Sequence, residues 1–263
     1  MIMKTRSNIR YAPAALAWDG YDQALRRLIE RTGAVNVCEV GAGAAPLLST
    51  TAIEDIGLHY TTVDVSVEEL KKAPPGYSAV VADVAVPGAR LGGKYDLILS
   101  RMLAEHIADP LAFHQNIFDA LAPGGRAFHF FATFYSPPFV MNRILPERLG
   151  EAFVTAVWPS RSRAGSSRKF PALYRWCRGP TERQLSRFEA IGYEVEEYVG
   201  FFGHWYYRPF LPRALHRDIV NRGLLRLACP VLTSYAYVVL RRPDVFANSN
   251  EPAQFGSEHC DPA

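Results

Sequence analysis

Cysteine is scarce in this chain. The four that occur among 263 residues, Cys38, Cys177, Cys229 and Cys260, are far apart and show no CxxC spacing. That pattern indicates neither a zinc site nor a disulfide framework. Cys38 falls in an apolar run and is expected to be core. No stretch of about 18 apolar residues is present, and the opening Met-Ile-Met-Lys-Thr-Arg-Ser-Asn has no apolar h-region. A soluble, cytoplasmic protein is the expectation. Internal repeats are absent too. Charge of one sign is not in excess: the formal net charge of +3 does not by itself name a polyanionic partner. With 49% hydrophobic and 21% charged residues, the length allows one large domain with a substantial core, or one domain carrying a cap.

The stretch that organises the rest runs from Val35 to Pro46, Val-Asn-Val-Cys-Glu-Val-Gly-Ala-Gly-Ala-Ala-Pro. An apolar β-favouring run passes an acid and enters a small-residue turn, the outline of a strand, a glycine loop and a helix start. Glycine lets such a turn take positive φ and lets a ligand approach closely. A dinucleotide would bring a pyrophosphate, which wants free N–H groups and no carboxylate nearby. Here Glu39 stands two residues before Gly41, and Pro46 occupies the place of the third glycine in G-x-G-x-x-G. Coulomb repulsion disfavours a phosphate there and favours a ligand bearing an ammonium and a sulfonium.

Strands and helices alternate on either side of this loop. An amphipathic helix is expected over 19–31, with Asp19 as N-cap and Gly33 ending it. Pro46 suits the first turn of a helix over 46–55. Strands follow over 36–40, 59–65, 78–82, 95–100 and 126–132, the fourth an almost unbroken apolar run such as a buried parallel strand requires. Asp109 and Pro110 open a helix that reaches about 121. Thr181 and Gln184 form a capping box for a helix over 181–192, and strands over 193–199 and 233–240 complete the set. Asp64 closes the second strand 25 residues after Glu39. At that spacing an acid in a βαβ unit either meets ribose hydroxyls or caps the helix over 67–72. Arg10 and Tyr11 either fold back over the ligand or belong to a frayed terminus.

The quoted loop, together with Thr62-Val63-Asp64, Ala82-Asp83-Val84, 95–100 and Leu121-Ala-Pro-Gly124-Gly125, resembles the class I S-adenosylmethionine (SAM)-dependent methyltransferases. The likeness runs from about 35 to about 131, roughly half the chain, and lies in five weak motifs in the right order. It implies an α/β fold with a doubly wound, seven-stranded, mostly parallel sheet and a cap insertion after strand five. The implied organisation is a core over 1–132, a cap over 133–180, the end of the core over 181–241 with a second insertion at 200–232, and a loose tail over 242–263. It also implies SAM as cofactor and S-adenosylhomocysteine (SAH) as product. Glu39, Gly41, Ala42, Gly43, Asp64, Val65, Asp83, Val84, Ser100 and Arg101 would surround that cofactor, with Asp83 at the adenine.

Methyl transfer is an in-line displacement that needs alignment, a dry site and, for a hydroxyl acceptor, a base. His106, a few residues beyond the fourth strand, is the first candidate base. His204, within an aromatic cluster, is the second. Either could instead be structural. Tyr135, Tyr174, Trp176 and His204 are candidate substrate contacts, as stacking partners or as packing. Residues 143–187 hold ten Lys/Arg against three acids, an excess of seven. Such a cap suits an acceptor bearing carboxylate or phosphate, unless the arginines are solvated surface. Residues 212–228 read as a basic amphipathic helix that can lie on a membrane surface or pack on its own domain. Neither a magnesium-binding Asp/Asp/Asn set nor an N-P-P-Tyr/Phe motif stands out. The expectation is therefore metal-independent O-methylation of a small molecule, glycan or lipid-linked acceptor. A nucleic-acid methyltransferase using the basic cap and a non-catalytic SAM-binding domain are the alternatives.

Overall fold

The computed structural model describes residues 8–134, 171–203, 215 and 219–244. Eight strands form one sheet in the order β1-β7-β8-β6-β5-β2-β3-β4. They are β1 Ile9–Pro13, β2 Asn36–Val40, β3 His59–Asp64, β4 Ser78–Val81, β5 Tyr95–Arg101, β6 Leu121–Ala132, β7 Glu194–Phe202 and β8 Thr233–Arg241. All neighbours run parallel except those of β8, which is antiparallel to both β6 and β7. The chain winds from β2 out to β3 and β4, then returns to β5 and β6 on the other side. That reversal places a topological switch point between β2 and β5, where open α/β sheets bind ligands outside their carboxyl ends.

Seven strands were expected, and the eighth is β1. It pairs parallel with β7 from Ile9↔Tyr198 to Pro13↔Phe202, at the sheet edge remote from β2 and β3. Arg10 accordingly pairs with Glu197, and Tyr11 stacks on Phe202 at 5.2 Å, so neither folds over the glycine loop. A five-residue edge strand with one inward face carries too little alternation to stand out in sequence.

Helix α1 (Ala17–Thr32) begins two residues earlier than expected, with Asp19 inside its first turn instead of at the cap. Gly33 ends it in the left-handed conformation, its N–H donating to the Ile29 carbonyl (2.9 Å). The helix lies on β6, where Tyr21 stacks on Phe128 (4.6 Å) and Phe130 (5.2 Å). Helix α2 (Thr50–Ile56) starts later than the proline implied, because Ser49 supplies the cap by accepting from the Ala52 N–H. Short α3 (Val67–Leu70) is capped by Ser66, not Asp64. Helix α4 (Pro110–Ala120) has Asp109 as N-cap and Pro110 at its first position, and α5 (Glu182–Ile191) is capped by Thr181. The Gln184 side chain does not complete the expected box; it accepts from Arg187 instead.

The expected amphipathic helix near 212–228 is wound differently. Ile219–Leu224 follows the wider i→i+5 path, and Leu225–Leu227 is α-helical. Widening rotates the residues around the axis, so Val220 is buried while Leu215, Ile219 and Leu227 are exposed. No described helix is long and apolar enough to cross a membrane.

Cys38 and every large residue of β5 from Leu97 to Leu99 are fully enclosed, as that apolar run required. Phe128→Ala removes a ring with no exposed surface and should cost about 3–5 kcal/mol. A denaturant midpoint within error of the parent would contradict the packing of α1 on β6.

Candidate functional site

The loop after β2 is held from two sides by carboxylates. Glu39 is buried at 3% exposure, and its Oε2 accepts from the Leu47 N–H (2.8 Å) and the Tyr60 hydroxyl (2.7 Å). From the next strand, Asp64 Oδ2 accepts from the Gly43 N–H (3.0 Å) while its Oδ1 accepts from the Ser66 N–H (2.9 Å). The Gly41 N–H donates to the Val63 carbonyl (2.7 Å), which draws the first glycine over β3. Burial holds the Glu39 carboxyl above its usual range, opposed by Tyr60, Leu47 and the nearby Arg101 guanidinium.

Gly41 is needed twice over. Its φ of +75° favours glycine, and a Cβ there would lie 2.8 Å from Leu103 Cδ1. Leu103 comes from the turn after β5, so the two sides of the switch point meet at this residue. Ala42 is buried beside it.

The other expected residues fall along the same carboxyl edge, with differing exposure. Val65 is 55% exposed just after Asp64. Asp83 is exposed and accepts from the Ala85 N–H (2.9 Å), while the Val84 side chain turns into the core. Asn116 of α4 holds this turn by donating to the Val84 and Val86 carbonyls and accepting from the Gly88 N–H. No short-range signal marks Asn116, because its partners are some 30 residues away. Arg101 ends β5 within reach of the Glu39 charge. Ser100 faces inward: its hydroxyl bonds His129 Nδ1 (2.8 Å) and it has no exposed surface.

His106 closes the short 3₁₀ turn Ala104–His106. Its Nδ1 lies 3.2 Å from the Pro171 carbonyl. A carbonyl only accepts, so Nδ1 is the donor of this bond, which in the neutral ring leaves the lone pair on Nε2. Its neighbour Glu105 gave no signal in sequence. It is buried at 3% exposure, with Oε2 unpartnered, and its backbone carbonyl accepts from the Leu173 and Tyr174 N–H groups. Burial raises its carboxyl to about 8.

Tyr174 is buried against Phe134 (5.9 Å), and Trp176 stacks on His114 (5.9 Å) beneath the Arg187 guanidinium (5.0 Å). Tyr135, His204 and most of the expected cap lie outside the described residues.

A switch-point site with a glycine loop, an acid beneath it and a second acid ending the next strand defines a nucleoside-binding α/β domain. The comparisons narrow that class. Residues 11–198 match the methyltransferase domain family, and the chain belongs to it. An uncharacterized methyltransferase of Mycolicibacterium gilvum is 29% identical over 117 residues, 43% of this chain. The chain spans about half the length of that relative, 46%. A SAM-dependent methyltransferase from Archaeoglobus fulgidus superposes with a TM-score of 0.50 at 13% identity, covering 85% of this chain and 93% of its own. The [4+2]-cyclase SpnF reaches the same TM-score at 17% identity, covering 85% and 81%. These likenesses establish the Rossmann-like methyltransferase fold, whose cofactor is SAM. They leave the reaction to the site, since one fold hosts several chemistries.

Glu105 generates a pH prediction. Its folded-state carboxyl lies near 8, whereas an unfolded one lies near ~4.3. The folded state therefore binds the proton more tightly, and stability falls as pH rises through this interval. The buried imidazoles of His114 and His129 are pushed down by burial and lose stability only below about pH 6.5. Between about pH 6.5 and 8 the carboxyl dominates, so Glu105→Gln should flatten the decline in thermal midpoint over that window. Equal slopes for variant and parent would exclude a neutral Glu105.

Proposed function

We propose that the protein transfers the methyl group of SAM, without a metal, to a hydroxyl of a small acidic acceptor, a glycan or a lipid-linked intermediate. The observation that carries this reading is the double grip on the loop. Glu39 and Asp64 put two carboxylates at the switch point, where a pyrophosphate would be repelled and an amino-acid nucleoside cation is welcome. Asp64 retains unused lone pairs for ribose hydroxyls, since each oxygen accepts only one of its possible bonds in the described structure. Exposed Val65 offers an apolar face beside it for the base. Arg101, beside Glu39, suits the carboxylate of the amino-acid end while Glu39 faces its ammonium.

The bound cofactor supplies an electrophilic methyl group, so the chain has to align the acceptor, exclude water and remove one proton. Alignment alone can contribute ~7–11 kcal/mol. His106 is the residue for the proton: its Nδ1 is committed to Pro171, and Nε2 is left to accept. His204 is the second candidate for the same task. The absence of a magnesium-binding carboxylate motif in sequence supports the metal-independent form.

Calorimetry should show SAH binding to the parent and none for NAD, with Asp64→Ala weakening SAH by about tenfold or more. Heat with NAD and none with SAH would overturn the reading; unchanged SAH affinity in the variant would remove Asp64 from the ribose. Methyl transfer from labelled SAM to a small-molecule extract should fall by about 10²–10⁴-fold in His106→Ala if His106 is the base. A loss of only a few-fold would retire it.

A further inference from the structure

A cavity of about 350 Å³ opens beside the loop that carries His106, lined by Asp109 and Pro110 at the start of α4 and by Arg175, Trp176, Arg178 and Arg187. Its size suits a small organic ligand. Three guanidinium groups face one carboxylate there, and the carboxylate is already engaged. Asp109 Oδ1 accepts from the Leu111 and Ala112 N–H groups (both 3.0 Å), so the first amides of α4 are closed off as well.

Among the described residues, none of Arg175, Arg183 and Arg187 is within ion-pair distance of a carboxylate. Burial and the neighbouring charges of Arg183 and Arg178 hold the Arg187 guanidinium below its usual range. Like charges crowd here, a cost that an incoming anion would reverse. The backbone is also committed to the arrangement. Tyr174 and Trp176, flanking Arg175, both sit in the left-handed region, at φ 51° and 58°, where bulky residues are strained. Arg175 donates to the Ala108 carbonyl (2.6 Å), and Trp176 carries Arg187 over its ring. Among the described residues Arg175 gives one N–H to the Ala108 carbonyl and Arg187 one to Gln184 Oε1, each a part of a five-donor fork.

We propose that this cavity is the acceptor's anion subsite, taking a phosphate monoester between Arg175 and Arg187. The two guanidiniums of Arg175 and Arg187 together match a phosphate of about −1.5 to −2 better than they match a single carboxylate. Guanidinium binds such oxygens in a fork, which fixes orientation as well as position. The subsite rests on the methyltransferase reading only in naming the ligand as acceptor; the anion site itself stands on the cavity.

The test titrates inorganic phosphate into the full chain at constant ionic strength, with chloride as replacement, and follows thermal midpoint and heat of binding. SAH affinity is measured on the same samples. Phosphate should raise the midpoint of the parent and of the distant variant Arg90→Gln, as ligand linkage requires. In the Arg175→Gln/Arg187→Gln double variant, phosphate affinity should fall by about tenfold or more while SAH affinity holds. Should loss of Arg187 disturb Trp176, the single variant Arg175→Gln, altered at an exposed side chain, must still weaken phosphate. No response to phosphate beyond that to chloride overturns the subsite, as does an equal response in parent and double variant. A phosphate response that the variants abolish, in a chain that fails to bind SAH, supports the site and removes the methyltransferase reading.

Discussion

The hydrogen bonds from loop amides to Glu39 and Asp64 are the constraint on which the site depends. Small-residue loops have little side-chain packing to hold them, so their shape must come from backbone bonding. Two carboxylates from adjacent strands supply it, one from beneath at Leu47 and one from the side at Gly43. Burying Glu39 is costly, and the Tyr60 hydroxyl and Leu47 amide offset that cost by giving it two donors. The same pair of acids places negative charge beside the glycine loop.

Charge is divided across the switch point. On the side of β2, β3 and β4 the carboxyl edge carries Glu39, Asp64 and Asp83. On the side of β5 and β6, the segment leading into α5 carries Arg175 and Arg178, and α5 carries Arg187. Leu103 against Gly41 and Arg101 near Glu39 are where the two halves meet. Under the proposed function, a donor cation and an acceptor anion are drawn to opposite halves. Long-range charge segregation of this kind orients ligands before close contact is made.

Much of this arrangement was legible in the residues. The strand end at Val40, and those expected at 65 and 100 and found one residue away at Asp64 and Arg101, follow from apolar runs meeting small or charged residues, and Asp109-Pro110 and Gly33 mark helix boundaries by local chemistry. The misplaced boundaries also have local causes. Pro46 is compatible with a helix start, yet Glu39 captures the Leu47 amide, and the helix begins only where Ser49 caps it. Asp64 was also a capping candidate, and Ser66, two residues on, took that place. The wide winding at Ile219–Leu224 defeats any reading at 3.6 residues per turn, because the faces rotate.

Glu105 and His106 show where such reading stops. Adjacent in sequence, they differ entirely in setting: one carboxyl is sealed against residues 173–177, and one imidazole is tautomer-fixed by Pro171. Composition and spacing determined the class of fold, the glycine loop and the identity of the acids around it, because these depend on periodicity and on residues a few positions apart. Tertiary structure alone decided that Leu103 closes on Gly41, that Asn116 holds the turn after Asp83, and that three arginines converge on one cavity. Those outcomes depend on pairing between segments tens of residues apart, set by how the sheet and its helices pack, which no local pattern encodes.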